Sequence, residues 1–421
     1  MKQSEYTHAS IVPLIGGEPL GLQASLGDKN PEYVLSYSPF TKNDSHYINY
    51  LRTKKNWGGD YILLDENEHH KASYVDIVSA VCPCAGLSSL SVSSSEYSPT
   101  NDWMYLSAEY VLEHIKPRVF FGENAPRLFT KKGEAVANRL HEIGLKNGYS
   151  LTLYSTSSKE HGLAQKRPRT FYFFTKDSSK APYFKTYNKP LIYPVEEVLQ
   201  KTRSKDDPMN VLINRDDPYD SPWLKYVLHM TNNKTLLDLH NYIDNTVNLI
   251  NYSEKLCEKN LNLVAEWFDQ QGPEVVPSKF ADRARAMQAK LDDNKGYWSH
   301  GVTVPKNLIP ALIGAQPASL MNPFKDSFLT LRDALEIMTM PDDFSLHFDP
   351  ETENPVKYTN HICQNVPHNV ARDMGEAIIE YLNAEDNGSY DHYENGVSLL
   401  RQKNQASDLH QTKTAPIDTF F

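Results

Sequence analysis

The sequence predicts an α/β fold built on a doubly wound sheet, with a smaller domain inserted before a C-terminal return to the sheet. Three observations lead to this prediction. Short apolar segments alternate with amphipathic helical patterns through residues 10–175. The alternation stops near residue 176 and returns after residue 295. Chemically reactive side chains directly follow the apolar segments, and ligands of doubly wound sheets bind beyond the carboxyl ends of the strands.

The elements of the first segment follow in chain order. Residues 9–38 predict strand, turn, helix and strand, and a further strand ends at Val81. The helical pattern of residues 104–115 stops near Pro117, because proline lacks the hydrogen-bond donor that a helix needs. Beyond it we expect a strand, a helix and two more strands, at residues 118–124, 133–148, 150–157 and 169–175.

The later part of the chain differs in composition and in its pattern of apolar residues. From about residue 176 charged and polar residues become more frequent and apolar runs shorten, which indicates an inserted domain. Amphipathic helical patterns in residues 329–344 and 369–383 indicate the return to the first domain. A polar tail follows, and we expect it to be flexible. The predicted domains are therefore residues 1–175, 176–295, 296–383 and 384–421.

Composition is typical of a soluble intracellular protein. The chain has 421 residues, 40% of them hydrophobic, and only four cysteines without a paired framework, so we expect a reducing, cytoplasmic location. The N-terminus lacks the apolar segment of a signal peptide, and no apolar run has the length of a membrane span. The net charge of -10 does not exclude nucleic acid, because phosphate contacts need only a local basic face.

Cys84 is the first candidate for chemistry. It follows Pro83 just after the predicted strand that ends at Val81, and a helix-compatible run comes next. A cysteine at the positive end of a helix dipole is favoured as thiolate, which is its nucleophilic form. Taken alone, the same position also suits a cysteine that only packs.

Glu123, Arg167 and Arg169 are the next candidates. Glu123 ends the apolar strand at residues 118–124, where a carboxylate is costly unless it is paired or functional. In an extended chain Arg167 and Arg169 point to the same face, which suits a phosphate or a polarised carbonyl group. A capping glutamate and a solvated basic edge are the alternatives for these residues.

The order and spacing of these residues along the chain indicate a function more specifically than any one of them does. Glu123 lies 39 positions after Cys84, and Gln165 opens the run QKRPR 42 positions after Glu123. This order and spacing resemble motifs IV, VI and VIII of the cytosine-C5 DNA methyltransferases. The resemblance covers residues 10–175 and 296–382, and the wording PCAGLS and GENAP is similar to a bacteriophage branch of that family, which implies a bacterial or phage-infected host cell.

The resemblance implies a mechanism and its partners. The Cys84 thiolate would add to C6 of a cytosine flipped out of double-stranded DNA, and C5 would then accept a methyl group from S-adenosylmethionine. Glu123 would bond the N3 and N4 edge of the ring, and Arg169 would hold the carbonyl O2. Arg167 would support the active-site loop. The inserted segment would be the target-recognition domain, reading base edges in the major groove.

The cofactor residues implied by the resemblance depart from the family pattern. The glycine-rich turn keeps Gly16 and Gly17 but has Leu14 in place of the first glycine. No acidic residue follows the second strand, where Tyr37 and Ser38 stand instead. The remaining implied contacts are Asp60, Pro83, Gln364 and Asn365, and no metal site is predicted.

Three alternatives to methyl transfer stay open from the sequence. The same cysteine adduct could serve a different donor, which the altered cofactor turn favours. The chain could also be a non-catalytic DNA-binding relative, or an enzyme acting on a small molecule. Separately, the C-terminal Ile417, Phe420 and Phe421 are spaced as in peptides that bind a sliding clamp, against the alternative of chance aromatics on a tail.

Overall fold

A computed structural model describes most of the chain in atomic detail. The description covers residues 5–66, 72–88, 95–295, 301–349, 352–392 and 397–404. The chain divides into two compact units. The first unit comprises Met1–Ile192, Met338–Phe348 and Gln364–Phe421, and the second comprises Tyr193–Ile337 and Asp349–Cys363. The second unit begins and ends later than the predicted inserted domain, and the role of that domain in target recognition stays a prediction.

An eight-stranded mixed sheet forms the centre of the first unit. Its spatial order is β8-β6-β7-β5-β4-β1-β2-β3, and β7 is antiparallel to both of its neighbours while the other pairs are parallel. This arrangement confirms the predicted doubly wound α/β fold. In chain order the strands β1 to β8 are His8–Ile11, Tyr33–Ser36, Asp60–Leu63, Ile77–Ala80, Val119–Asn124, Ser150–Ser157, Pro168–Thr175 and Leu399–Lys403.

Thirteen α-helices lie in the described ranges, five of them in the first unit. The helices α1 to α4 are Gly17–Ser25, Thr41–Lys54, Asp102–Tyr110 and Glu134–Lys146, and α5 to α9 are Val195–Gln200, Pro222–Thr231, Leu236–Tyr242, Leu249–Leu256 and Leu261–Gln271. The helices α10 to α13 are Lys279–Asp292, Leu331–Ile337, Val356–Gln364 and His368–Asp386. Two-residue strands occur at Gln165–Lys166, Val247–Asn248, Thr303–Val304, Ile309–Pro310, Met321–Asn322 and Ser327–Phe328.

Aromatic side chains fill the core beside the middle strands. Phe120 stacks on Phe174 with ring centroids 5.7 Å apart, and Phe121 stacks on Phe173 at 5.8 Å. Both pairs join β5 to β7, whose residues face each other in antiparallel register. Stacked aromatic pairs across neighbouring strands stabilise a sheet, so this core fixes the register of the strands that carry the site.

The tail prediction is wrong for residues 399–403, which form the edge strand β8 beside β6. The segment reads as polar, yet Arg401 and Gln402 are buried. The side-chain oxygen of Gln402 accepts a hydrogen bond from the Phe184 backbone N–H at 2.9 Å, and that of Asn404 accepts one from the Tyr187 N–H at 2.7 Å. Polar side chains satisfied by a neighbouring loop can therefore stand where the pattern suggested a free tail.

The second unit is mainly helical. Its core is formed by apolar side chains of α6 to α10, among them Trp223 and Phe268, whose rings meet edge to face at 5.1 Å. The charged faces of these short helices explain why the strand and helix rhythm is lost in this part of the sequence. Within the described ranges of the whole chain, every helix is too short or too polar to cross a membrane.

Candidate active site

The carboxyl ends of β4 and β5 bring the first two candidates together. These strands are parallel neighbours with Ala80 opposite Gly122. Cys84 follows the end of β4 by four residues, and Glu123 stands at the next position of β5 after Gly122. Cys84 is half-buried, whereas Glu123 is buried, with 2% of its surface exposed. The structure therefore places the thiol and the carboxylate at one edge of the sheet, as the sequence predicts for such a fold.

Arg169 comes to the same edge from the antiparallel strand β7. Asn124 is opposite Thr170, so the two strands bring Glu123 and Arg169 side by side. The Nε atom of Arg169 lies 2.5 Å from Oε1 of Glu123 in an ion pair between largely buried side chains. Nη1 of Arg169 donates a hydrogen bond to the Pro168 carbonyl at 2.8 Å, so Nε and Nη1 already have acceptors within the protein.

The Arg167 side chain makes different contacts from those of Arg169. Its side chain is almost fully buried, and its Nη2 donates a hydrogen bond to the backbone carbonyl of Asn365 at 3.1 Å. The Arg167 backbone N–H donates to the Ser158 hydroxyl at 3.1 Å. Arg167 therefore ties the segment before β7 to the segment before α13, and its predicted support of the active-site loop and of a backbone phosphate stays a prediction.

The charges at this edge act on one another. Burial raises the pKa of the Cys84 thiol, and the positive charges of Arg169 and Arg167 oppose that rise. Burial also raises the pKa of Glu123, again against the effect of Arg169 and Arg167. Arg169 thus favours the ionised form of both groups, which are the thiolate needed for attack and the carboxylate that can accept hydrogen bonds.

The segment directly after Cys84 differs from the predicted helix start. Ala85–Leu87 form a single turn, in which the Leu87 N–H donates to the Cys84 carbonyl at 3.1 Å. Up to residue 88, where this described segment ends, a turn and not a helix follows Cys84. The nearby guanidinium groups supply the positive charge instead.

The glycine turn after β1 is held from two sides. Gly16 has a φ of 96°, and the Gly17 N–H donates to the side-chain oxygen of Asn365 at 2.8 Å. A Cβ atom on Gly17 would lie 2.1 Å from the Val366 carbonyl oxygen, so glycine is needed for this close approach. The structure thus brings Gly16, Gly17 and Asn365 together, although Gly17 and Asn365 are 348 positions apart in the chain. Their contact with the donor stays a prediction.

Comparison with known proteins identifies the family. The sequence pattern described as C-5 cytosine-specific DNA methylase matches residues 15–380. The chain belongs to the C-5 cytosine-specific DNA methylase family. It is a DNA (cytosine-5-)-methyltransferase, and its methyl donor is S-adenosylmethionine. A search of curated proteins gives no match.

Solved structures support the fold of this methyltransferase. A prophage-encoded protein of E. coli, described as a DNA modification methyltransferase, superimposes with a TM-score of 0.52 at 15% identity, covering 90% of this chain and 100% of the other. The Entamoeba histolytica methyltransferase EhMeth gives a TM-score of 0.51 at 12% identity, covering 91% and 99%. At these identities the likeness concerns the fold.

The donor-binding side of this methyltransferase requires one correction. Asp60 is the first residue of β3 and pairs with Tyr33 at the start of β2, so it lies at the amino end of the sheet. The glycine turn and Cys84 lie at the carboxyl end, about 10 Å away along a strand of this length. Asp65, just past the end of β3, takes the position predicted for Asp60 and accepts a hydrogen bond from the Ser38 N–H at 2.9 Å.

The residues at this edge fit S-adenosylmethionine. Tyr37 and Phe40 each pack against Trp103, with ring centroids 5.0 Å apart, and such aromatic surfaces suit an adenine ring. Asp65 and Glu66 are exposed carboxylates beside Ser38 and can accept hydrogen bonds from ribose hydroxyls. Acidic residues therefore stand after β3, whereas the family pattern expects one after β2.

The predicted contacts Pro83 and Gln364 lie at the borders of this region. Pro83 is half-buried beside Cys84, and the side-chain oxygen of Gln364 accepts a long hydrogen bond of 3.5 Å from Asn43 of α2. The structure places Gln364 directly before Asn365, at the end of α12. Their contact with a donor stays a prediction.

Sequence reasoning missed Asp44, which supports the unusual turn. Leu14 stands where the family has a glycine and adopts a φ of 52°, a region that favours glycine. Its N–H donates to Oδ1 of the buried Asp44 at 3.1 Å, while the Ser36 hydroxyl and the Tyr61 hydroxyl donate to Oδ2 at 2.5 and 3.0 Å. A polar residue within the helical pattern of α2 was the available signal.

Proposed function

We propose that this methyltransferase acts through a covalent bond between the Cys84 sulfur and C6 of cytosine. The observation that supports it is the meeting of Cys84, Glu123 and Arg169 at one edge of the sheet, with the Arg169–Glu123 ion pair 2.5 Å long. C5 of cytosine is a weak nucleophile. Addition of a thiolate at C6 makes C5 electron-rich enough to accept the methyl group, so one difficult step becomes two easier ones.

Each residue of the cluster has a part in that step. The Glu123 side chain binds the N3 and N4 edge of the ring and favours a proton at N3, which withdraws charge as Cys84 attacks. Arg169 holds the carbonyl O2 with the nitrogens that do not face Glu123. Arg167 positions the loop through its hydrogen bond to the Asn365 carbonyl. Gly16, Gly17, Asn365 and Asp65 hold the donor, which supplies an activated methyl group.

The target base must leave the DNA stack, because an enzyme pocket cannot reach C5 and C6 of a paired base in this way. We propose that the second unit reads the DNA sequence, in keeping with the predicted target-recognition domain at residues 176–295. Its cleft around β-strand residues 247 and 248 is lined by the amides Asn245, Asn248 and Asn251, together with Tyr242 and Lys255. Amide and ammonium groups are suited to base edges and phosphates.

The experiment is expression in a host without cytosine methylation, followed by digestion of its DNA to nucleosides and mass analysis. We expect deoxycytidine heavier by one methyl group with the wild-type chain. A Cys84→Ser chain should give none. Methylation that persists in the Cys84→Ser chain would contradict the covalent mechanism, and a Cys84-dependent product of another mass would contradict methyl transfer.

The chain end supports a second, separate proposal. Ile417, Phe420 and Phe421 lie outside the described residues, and their spacing suits insertion into the apolar groove of a sliding clamp. Such binding would keep the enzyme on DNA during replication. Binding of the full chain to a purified clamp should be lost in a Phe420→Ala, Phe421→Ala chain. Equal binding by both chains would remove the proposal.

A further inference from the structure

The proposed reaction leaves one proton without an acceptor. After methyl transfer C5 carries both the new methyl group and its original hydrogen, and the product forms only when that hydrogen leaves as a proton. Cys84 is then bonded to C6, while Glu123 and Arg169 are engaged with N3, N4 and O2. If the proposed function holds, another group of the protein must take this proton.

Glu18 is a buried carboxyl group that the reaction has not yet used. It directly follows the Gly16–Gly17 turn in the first turn of α1, and none of its surface is exposed. No hydrogen bond of ordinary length and angle reaches either carboxylate oxygen, although the nearby Ala80 backbone acts to lower the pKa of Glu18. Burial of an unpaired carboxyl group is costly, so its presence beside an active site indicates a function.

The residues around Glu18 lie near the edge of the sheet that carries Cys84 and Glu123. The hydroxyl of Tyr172 is likewise buried, beside the Cys82 thiol, and the nearby charge of Glu18 raises the pKa of Tyr172. Tyr172 lies across Gly122, since a Cβ atom there would be 2.3 Å from the Tyr172 hydroxyl and 2.5 Å from the Ala80 carbonyl oxygen. Burial and the neighbouring charge of Glu123 both raise the pKa of Glu18. Glu18 therefore stands close enough to Glu123 for the two charges to interact, and it directly follows the Gly16–Gly17 turn.

The order of the strands fixes the side from which Glu18 approaches. Arg169 reaches Glu123 from β7, whereas Glu18 follows β1, and the sheet order is β7-β5-β4-β1. In the cytosine ring C5 is opposite C2, the carbon that carries O2. With O2 held by Arg169 and C6 at Cys84, C5 faces away from β7 and toward β4 and β1. That is the side on which Glu18 lies.

We propose that the Glu18 carboxylate accepts the C5 proton. The electron pair of the C5–H bond then forms the C5–C6 double bond, the C6–S bond breaks, and its pair returns to Cys84 as thiolate. The proton stays on Glu18 until the product leaves and it exchanges with water. Burial raises the pKa of Glu18, which makes its carboxylate a stronger base, and a bound donor would supply a positive sulfonium that favours the ionised form.

The test compares the full wild-type chain with Glu18→Gln, which keeps the shape of the side chain but cannot accept a proton. Both are mixed with S-adenosylmethionine and cytosine-unmethylated DNA, and the denaturant-stable protein–DNA adduct and 5-methylcytosine are followed in time. We expect the variant to form adduct at a rate within threefold of wild type. Its release of 5-methylcytosine should slow by about 10²–10⁴-fold, so that adduct accumulates.

DNA that contains 5-fluorocytosine is the matched control, because C5 then has no proton to lose. Wild type and Glu18→Gln should trap equal amounts of adduct on it, and Glu18→Asp should recover part of the release rate on ordinary DNA. Equal release by wild type and Glu18→Gln would overturn the proposal. Slower turnover with less adduct on 5-fluorocytosine DNA would also overturn it, because Glu18 would then act before the adduct forms.

Failure of the proposed function would give a different result. The wild-type chain would then form no Cys84-dependent adduct on either DNA, which removes both proposals together. Thermal unfolding of the Glu18→Gln chain monitors its fold. Because glutamine replaces an unpaired buried carboxyl group with a neutral amide of the same size, we expect its melting temperature to equal or exceed that of wild type.

Discussion

Arg169 lies with its Nε atom 2.5 Å from the Glu123 carboxylate, and both side chains are largely buried. The pair joins the last residues of β5 to the first residues of β7, beside Cys84. Burial raises the pKa of Glu123 and of Cys84, and the positive charge of Arg169 opposes both rises.

Replacement of Arg169 by methionine should impair both stability and chemistry. Glu123 would be left buried without its counter-charge, which costs about 3–5 kcal/mol for a broken buried pair. We expect methylation to fall by at least about 10²-fold, since the cytosine O2 would lose its guanidinium partner and the Cys84 thiolate would lose the positive charge of Arg169. Urea unfolding and nucleoside mass analysis measure the two effects. Arg285→Met is the control, because it removes an exposed ion pair with Asp269, and it should lower the free energy of unfolding by less than about 1 kcal/mol. Similar losses for both variants would contradict a stabilising role of the Arg169–Glu123 pair.

The pH dependence of Cys84 alkylation tests the same charge more directly. Thiolate forms as the pH rises through the pKa, so labelling by iodoacetamide should increase with pH. Burial raises that pKa and Arg169 opposes the rise, so Arg169→Met should move the midpoint to higher pH. Labelled peptide is measured by mass spectrometry under native conditions. A Cys84→Ser chain should take up little label, because Cys82, Cys257 and Cys363 are buried.

Much of the candidate active site at the edge of the sheet could be predicted from the sequence. The strands that end before Cys84 and Glu123 are strongly apolar, and their parallel pairing brings the two residues together. Asn365 could be placed beside Gly17 only through the family resemblance, because local patterns carry no information about contacts between distant segments. Neither source indicated the exact pairing of Arg169 with Glu123, which depends on the antiparallel register of β7.

The errors also have physical causes. The family resemblance implies a donor contact at Asp60, but β3 starts at that residue and the site lies at its other end. The strand β3 is half-exposed, so its pattern is weaker than that of the buried strands. Glu18 was overlooked because a glutamate in the first turn of a helix is ordinarily a solvent-exposed residue that complements the helix dipole.

Gly17→Ala should disrupt the turn that holds the donor. The added Cβ would lie 2.1 Å from the Val366 carbonyl oxygen and 2.4 Å from the Asn365 amide, so the backbone must move. We expect S-adenosylmethionine affinity to fall at least about tenfold, as measured by isothermal titration calorimetry. Gly58→Ala is the control, because a Cβ there meets nothing within 4 Å. Unchanged affinity in Gly17→Ala would separate this turn from donor binding.

Asp44 should make the stability of the protein depend on pH. Burial raises its pKa from 3.8 in the unfolded chain to about 7. The folded state therefore holds the proton more tightly, so the contribution of Asp44 to stability falls as the pH rises from about 4 to about 7. That difference corresponds to about 4 kcal/mol.

Asp44→Asn should remove this slope, because asparagine does not titrate. The free energy of unfolding in urea, measured at pH 5 and pH 8, should drop by several kcal/mol more in wild type than in the variant. Asp28→Asn, at an exposed carboxyl group, should follow wild type. Equal slopes for wild type and Asp44→Asn would show that Asp44 is not protonated in the folded state at pH 5.

Truncations should separate the edge strand β8 from the clamp-binding end. A chain that ends at residue 404 keeps Leu399 and Leu400 buried and keeps the hydrogen bonds from Phe184 and Tyr187 to Gln402 and Asn404. We expect it to unfold at the same urea concentration as the full chain and to lose clamp binding.

A chain that ends at residue 396 loses the strand β8 as well. Burial of two leucines contributes about 3–6 kcal/mol, so this chain should unfold at clearly lower urea concentration. Equal stability of the two truncations would mean that β8 contributes little, whereas instability of the longer one would place a structural role in residues 405–421.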